Sequence, residues 1–189
     1  MKQRLFICMT ILIMMTISNS AFSQGVWGVE AGVNVANIKG DDISDETENR
    51  TGLLLAVYYQ HVLANSGIIL QPEIIYSQKG LEFGDTVVKV DYIVVAALAA
   101  YYFDVSEQVS PFVKAGPYLG LNVTAKQERD GDEGDLESVN STDAGVIIRA
   151  GVQIDRFEIG ARLSKGLTDV FDDAEGKNSV FGIFVGVRL

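Results

Sequence analysis

The sequence predicts an all-β fold, an eight-stranded antiparallel up-and-down transmembrane β-barrel, on three observations. The last stretch places Phe181, Ile183, Val185, Val187 and Leu189 at every second position, with Gly182, Phe184, Gly186 and Arg188 between them. Successive side chains on a strand point to opposite faces, so one face is wholly apolar and the other is glycine-rich and charged. The same two-faced pattern recurs along the chain, which reaches a mean hydropathy of +0.19 without a long apolar run beyond the N-terminus. The connections between patterned stretches alternate between long and short, as in barrels with short periplasmic turns and longer outside loops.

The chain of 189 residues suits one domain. A net charge of −10 argues against nucleic acid as a partner. Lys2 and Arg4 precede the apolar run Leu5 to Ile17, and small residues follow through Ala21 and Ser23. That is the layout of a secretory signal. The run is shorter than the roughly 20 apolar residues that span a bilayer, so residues 1–23 are expected to be a signal peptide and 24–189 the outer-membrane barrel domain. Cleavage there removes two basic residues, leaving 25 acidic against 13 basic and a mature charge of −12. It also removes Cys8, the only cysteine, and with it any disulfide or cysteine-based metal site.

The eight expected strands are Val26–Ala36, Gly52–Leu63, Ile68–Lys79, Val90–Phe103, Phe112–Lys126, Ala144–Ile154, Phe157–Lys165 and Ser179–Leu189. Strands of about 9–11 residues, or slightly more, suffice to cross. The first carries Trp27, Val29, Ala31, Val33 and Val35 on one parity; the second Leu53, Leu55, Val57 and Tyr59; the third Ile68, Leu70, Pro72, Ile74 and Tyr76. Ile93 to Phe103 in the fourth is continuously apolar, so a buried helix fits on periodicity alone. Its length and its Val and Tyr content favour a strand, and Tyr101-Tyr102-Phe103 suits a membrane interface. The fifth shows Val113 to Val123 at alternate positions, the sixth Ala144 to Ile154, and the seventh Phe157, Ile159, Ala161 and Leu163. Among the connections, Asn37 to Thr51, Gln127–Asp143 and Gly166–Asn178 are long, Gly80–Lys89 is medium, and Ala64–Gly67 and Asp155–Arg156 are short.

The opposite parity gathers glycines (Gly28, Gly32, Gly116, Gly145, Gly151, Gly160) and the charges Glu30, Glu73, Lys114, Arg149, Glu158, Arg162 and Arg188. A lysine or arginine facing lipid at mid-depth costs about 2–4 kcal/mol. Lys114, Arg149 and Arg162 together would then consume about 6–12 kcal/mol, which rivals the whole stability of a domain. They are therefore expected to face the lumen and to pair with Glu30, Glu73 and Glu158, because an unpaired buried charge is strongly destabilising. Inner glycines fit an eight-stranded barrel, whose interior is only just wide enough for side chains.

Several stretches resemble the small outer-membrane β-barrel family widespread in Bacteroidetes, labelled porin-family or PorT-like. They are Gly32-Val33-Asn34-Val35-Ala36-Asn37-Ile38, Leu70-Gln71-Pro72-Glu73 with Tyr76-Ser77-Gln78-Lys79-Gly80, Tyr101-Tyr102-Phe103, Lys114-Ala115-Gly116-Pro117-Tyr118-Leu119-Gly120 and Gly186-Val187-Arg188-Leu189. The resemblance implies the barrel fold, an outer-membrane location in a Gram-negative bacterium, and no defined substrate; some relatives contribute to protein secretion. Two departures stand out. Where the family carries an inward Glu, a Pro and a Lys on its fourth strand, this chain has Val94, Ala96 and Ala100, and where the family ends in an aromatic residue it has Leu189. The first departure makes the lumen more apolar beside that strand.

No catalytic, cofactor or metal residues emerge. His61 is the only histidine and falls on the lipid parity near a short turn, so the usual acyl-transfer constellations lack a base. Three acidic clusters, around Asp41 to Glu48, Glu128 to Glu137 and Asp169 to Glu175, are assigned to outside loops. They read as a solvated surface, or as carboxylates that bridge through Ca²⁺ or Mg²⁺ to anionic lipopolysaccharide. The expected function is non-enzymatic: a structural, surface or export-accessory barrel plugged by its own side chains. Its partners would be outer-membrane lipid, lipopolysaccharide and an envelope protein reached through the outside loops. The alternatives are a small non-selective porin-like channel and a soluble lipocalin-like binder of apolar ligands, the latter with the apolar parity inside.

Overall fold

The computed structural model describes residues 25–40, 47–63, 66–106, 108–129, 132–136, 139–171 and 175–189. The expected signal segment lies outside them, as do Asp41, Asp42, Asp45 and Glu46. The strands are β1 (Val26–Lys39), β2 (Glu48–Val62), β3 (Ile68–Phe83), β4 (Thr86–Tyr102), β5 (Val109–Arg129), β6 (Asp132–Asp135), β7 (Thr142–Ile154), β8 (Phe157–Asp169) and β9 (Lys177–Arg188).

Each long strand pairs antiparallel with its neighbours in the chain, and β1 pairs with β9, so the sheet closes on itself. Closure removes the sheet edges that a bilayer cannot hydrogen-bond. Eight strands make the barrel; the ninth, β6, pairs only with the outer end of β5. The seam is sealed at the ends of the described chain, where the Leu189 amide donates to the Trp27 carbonyl at 2.8 Å.

The expected alternation holds on the seven walls where the sequence shows it, except that Tyr59 of the outer parity is buried, and the continuously apolar β4 alternates in burial as well. Leu55, Val57, Ile74, Ile148, Ile159 and Ile183 are exposed on the outside, while Glu30, Glu73, Lys114, Arg149, Glu158 and Arg162 are buried inside. A soluble binder of apolar ligands would need the reverse. The apolar stretch Ile93 to Tyr102 is strand, as its length and Val and Tyr content favoured. Val94, Ala96 and Leu98 are buried on its inner side, the more apolar lumen that the fourth-strand departure foretold.

The strands run further outward than the apolar pattern indicates. β3 and β4 continue to a two-residue turn at Gly84-Asp85, replacing the medium loop expected over Gly80–Lys89. Gly84 has φ 57°, the left-handed value that a tight hairpin needs at its first central position. Part of the expected loop Gln127–Asp143 is likewise β5 and β6, so Glu128, Asp132, Glu133 and Asp135 belong to a hairpin rather than a loop. The reason is general. Apolar alternation reports contact with lipid, whereas a backbone ladder needs no lipid and persists into water. On this outer extension Lys89 and Lys126 hydrogen-bond Glu133 and hold its carboxyl down to about 2. A depressed carboxyl stabilises above its ordinary range and loses that contribution as pH falls toward 2. Exposure keeps the contribution small.

Candidate functional site: a charged and capped lumen

The inner parity lines the lumen with buried side chains that bond to one another. Nearest the short turns, the Lys114 ammonium donates to Glu158 Oε2 at 2.6 Å and to Gln71 Oε1 at 3.0 Å. Tyr102 donates its hydroxyl to Glu158 Oε1 at 2.6 Å. Lys114 Nζ also lies 4.6 Å from the centre of the Phe112 ring, within cation–π range. Gln71 passes the network upward, its amide donating to Glu73 at 3.0 Å. At mid-depth Arg149 binds two carboxylates, Glu30 at 2.9 Å and Glu73 at 2.7 Å, with all three side chains fully buried. Above them Lys79 donates to Asp143 at 2.7 Å, and the same carboxylate accepts from Tyr118 and Asn178, each at 3.0 Å. Outermost, Arg50 pairs with Asp91 at 3.0 Å and also donates to the Lys79 carbonyl.

These groups balance. Among the described residues, the buried basic side chains are Arg50, Lys79, Lys114, Arg149 and Arg162, and the buried acids are Glu30, Glu73, Asp91, Asp143 and Glu158. Five meet five, so the chain's net −10 lies entirely outside the buried set. In a medium of low dielectric only such pairing makes burial tolerable.

Of the sequence-predicted residues, Glu30, Glu73 and Arg149 form one ion triad, and Lys114 and Glu158 form one pair. Arg162 faces inward directly opposite Arg149 in the ladder. Its Nε and Nη1 find no acceptor, and it makes no ion pair among the described residues. Arg188 stands at the short-turn mouth, half-buried, donating to the Asp155 carbonyl at 3.0 Å. The pairs built on Lys79, Asp143, Arg50 and Asp91 were missed. Lys79 and Asp143 do share the inward parity of Glu73 and Arg149; Lys79 closes the expected third strand, and Asp143 stands one residue before the expected sixth.

The inner glycines have a specific use. Gly28 lies directly opposite Tyr58, Gly145 opposite Tyr118, Gly151 opposite Phe112 and Gly160 opposite Phe184. Each ring lies over the space that a glycine side chain would occupy. A Cβ on Gly145 would stand 2.1 Å from the Lys165 carbonyl oxygen and 2.6 Å from the Tyr118 ring, so Gly145→Val is expected to spread the β7–β8 ladder as well as push Tyr118 off Asp143. The expected loss is about 1–3 kcal/mol, the usual cost of overpacking, measured as the urea midpoint of the refolded protein in micelles.

Over the outer end sits an apolar cap. Ile38, Leu81, Val90 and Val170 are buried in one cluster, with Val88, Val139 and Phe171 packed against it. Val139 and Phe171 are joined by an isolated β-bridge. Fold and lumen together define a closed, transmembrane-type eight-stranded barrel. The chain belongs to the family described as outer membrane protein beta-barrel domain, which matches residues 22–172, and the family's location is the outer membrane. No match among curated proteins was found at the level of sequence.

The chain is also similar to solved structures, the first two of which share its fold. Neisserial surface protein A aligns with 88% of this chain and 100% of its own at TM-score 0.56 and 14% identity. The outer membrane enzyme PagL aligns with 85% of this chain and 98% of its own at TM-score 0.51 and 17% identity. Ail, the attachment invasion locus protein of Yersinia pestis, aligns with 88% of this chain and 99% of its own at TM-score 0.49 and 20% identity.

Proposed function

We propose that this chain is a non-enzymatic surface or export-accessory barrel whose interior is plugged by its own side chains. The observation that carries the reading is the apolar cap of Ile38, Leu81, Val90 and Val170 over the ladder of buried ion pairs. A conducting lumen needs water beside its charges. Here the carboxylates are engaged by cations at hydrogen-bond distance, and the outer exit is apolar. The porin-like alternative would need both to give way.

The non-enzymatic part rests on side-chain placement. PagL is an enzyme on the same fold, but a likeness at 17% identity carries the fold alone. His61 lies opposite Leu70 in the ladder, and its Nδ1 has no hydrogen-bond partner among the described residues, so nothing there orients it as a base. In this reading export uses the N-terminal signal, and the partners are outer-membrane lipid, lipopolysaccharide and an envelope protein at the outer end.

Single-channel recording in planar bilayers tests the plug. Purified protein is expected to give no steady current; a stable conductance step would overturn the reading in favour of a small pore.

A further inference from the structure

The wall made by β1, β9 and β8 changes character at one height. Reading outward along the lipid-facing parity, Val33, Ile183 and Ala161 lie side by side in register, then Val35, Phe181 and Leu163. The next row holds Ser179 beside Lys165, and the row after it places Lys39 directly opposite Lys177. Below the lysines the small residues Ala31, Gly32, Gly160 and Ala161 sink the surface into an apolar groove of about 520 Å³, walled by Val33, Ile159, Ile183 and Val185.

Two features single this wall out. Like charges directly across a ladder destabilise it, and Lys39 and Lys177 occupy such positions. Moreover, none of the three lysines makes an ion pair among the described residues, although Asp169 also stands opposite Lys177. Elsewhere at the outer end Lys89 and Lys126 are engaged by Glu128 and Glu133. Among the described residues, then, Lys39, Lys165 and Lys177 form one patch without an ion pair, just outward of the last apolar row.

We propose that this wall binds a phosphorylated, multiply acylated glycolipid of the outer leaflet, a lipid A-type headgroup. Its phosphates would lie among Lys39, Lys165 and Lys177, and one acyl chain in the groove below. Two row steps separate Val33 from the height of Lys165, about 13 Å along the strands at ~3.3 Å per residue, which a tilt of about 35–45° reduces to roughly 10 Å of depth, within one leaflet of the roughly 30 Å hydrocarbon core. Long lysine stems lie along apolar surface while their heads reach the interface. The inference rests on this wall facing lipid and goes beyond the plugged interior, since a barrel can hold such a lipid whether or not it conducts.

The test uses full-length protein extracted from outer membranes in mild detergent. Lipopolysaccharide, its dephosphorylated form and phosphatidylglycerol are titrated separately and bound lipid is read by native mass spectrometry. Lipopolysaccharide should bind the wild type most tightly. The K39Q/K165Q/K177Q variant should bind it on the order of 10- to 100-fold more weakly, from the loss of three ammonium groups at an anionic surface. Ala161→Phe, which fills the groove and keeps the charges, should also weaken it, whereas K89Q/K126Q should not. Heat-modified migration on gels reports whether each variant is folded, and the three-lipid comparison on the wild type needs no variant. Equal binding of the dephosphorylated form or of phosphatidylglycerol, or full retention by the triple variant, overturns the proposal. Channel recordings are independent of all these outcomes.

Discussion

Arg149→Met is expected to lower the stability of the barrel by about 3–5 kcal/mol, the cost of removing one partner from a buried ion pair. The guanidinium is the only cation in contact with Glu30 and Glu73 among the described residues, and both carboxylates are buried. Without it two anions share a low-dielectric space, where each must recruit a proton or water. Against a total of about 5–15 kcal/mol that loss leaves little margin. Urea unfolding in micelles, followed by intrinsic fluorescence, gives the number. The triple replacement R149M/E30Q/E73Q should recover most of it, because the charges go together while Gln71 keeps an acceptor at position 73. Arg162→Met should cost less than Arg149→Met, since its removal strands no carboxylate. An equal cost for the two arginines would contradict the assignment of the triad to Arg149.

Ile183→Arg is expected to cost about 2–4 kcal/mol, the depth-dependent penalty for arginine on the lipid face at the midplane. Ile183 is 60% exposed on the outer wall, flanked in register by Val33 and Ala161. No carboxylate lies on that row to receive the new charge. Ser179→Arg, two rows outward on the same strand, should cost less than Ile183→Arg, because the lipid penalty fades toward the interface, even with the repulsion of about 0.2–1 kcal/mol from Lys165 directly opposite. The paired measurement in bilayer vesicles decides sidedness directly. A tolerated Ile183→Arg would mean that this face meets water.

Much of the barrel was legible because lipid imposes a strict two-residue period. The period puts Val29, Leu55, Ile74, Ile148 and Ile183 on one face, and the cost of lipid-facing lysine and arginine makes that face the outer one. The inward set was equally legible where polarity interrupted apolar stretches, as at Glu30, Glu73, Lys114 and Arg149. Which acid met which base was not. Arg149 takes both Glu30 and Glu73, and Arg162 takes neither, because partner choice depends on stagger between non-neighbouring strands, and alternation carries no stagger. The outer ends were the least legible. Once both faces of a strand meet water, β3, β4 and β5 lose their period while keeping their hydrogen bonds. Lys79 and Asp91 lie at the outer ends of expected strands and Asp143 just beyond one; all three are buried, but the period does not mark them as partners. The aromatic–glycine pairs were half visible: glycine on the inner parity signalled scarce room, but the ring filling it belongs to the adjacent strand.

The triad also has a timetable. Glu30 and Arg149 are 119 residues apart in the chain, and the seam between β1 and β9 joins the two ends of the described barrel. Contacts between such distant residues form slowly, because a long loop must close first. Glu30 therefore stays without its counter-ion until the sheet closes. Insertion then has to deliver the whole cylinder at once, since a partly wound sheet would present both a bare edge and a naked carboxylate to oil.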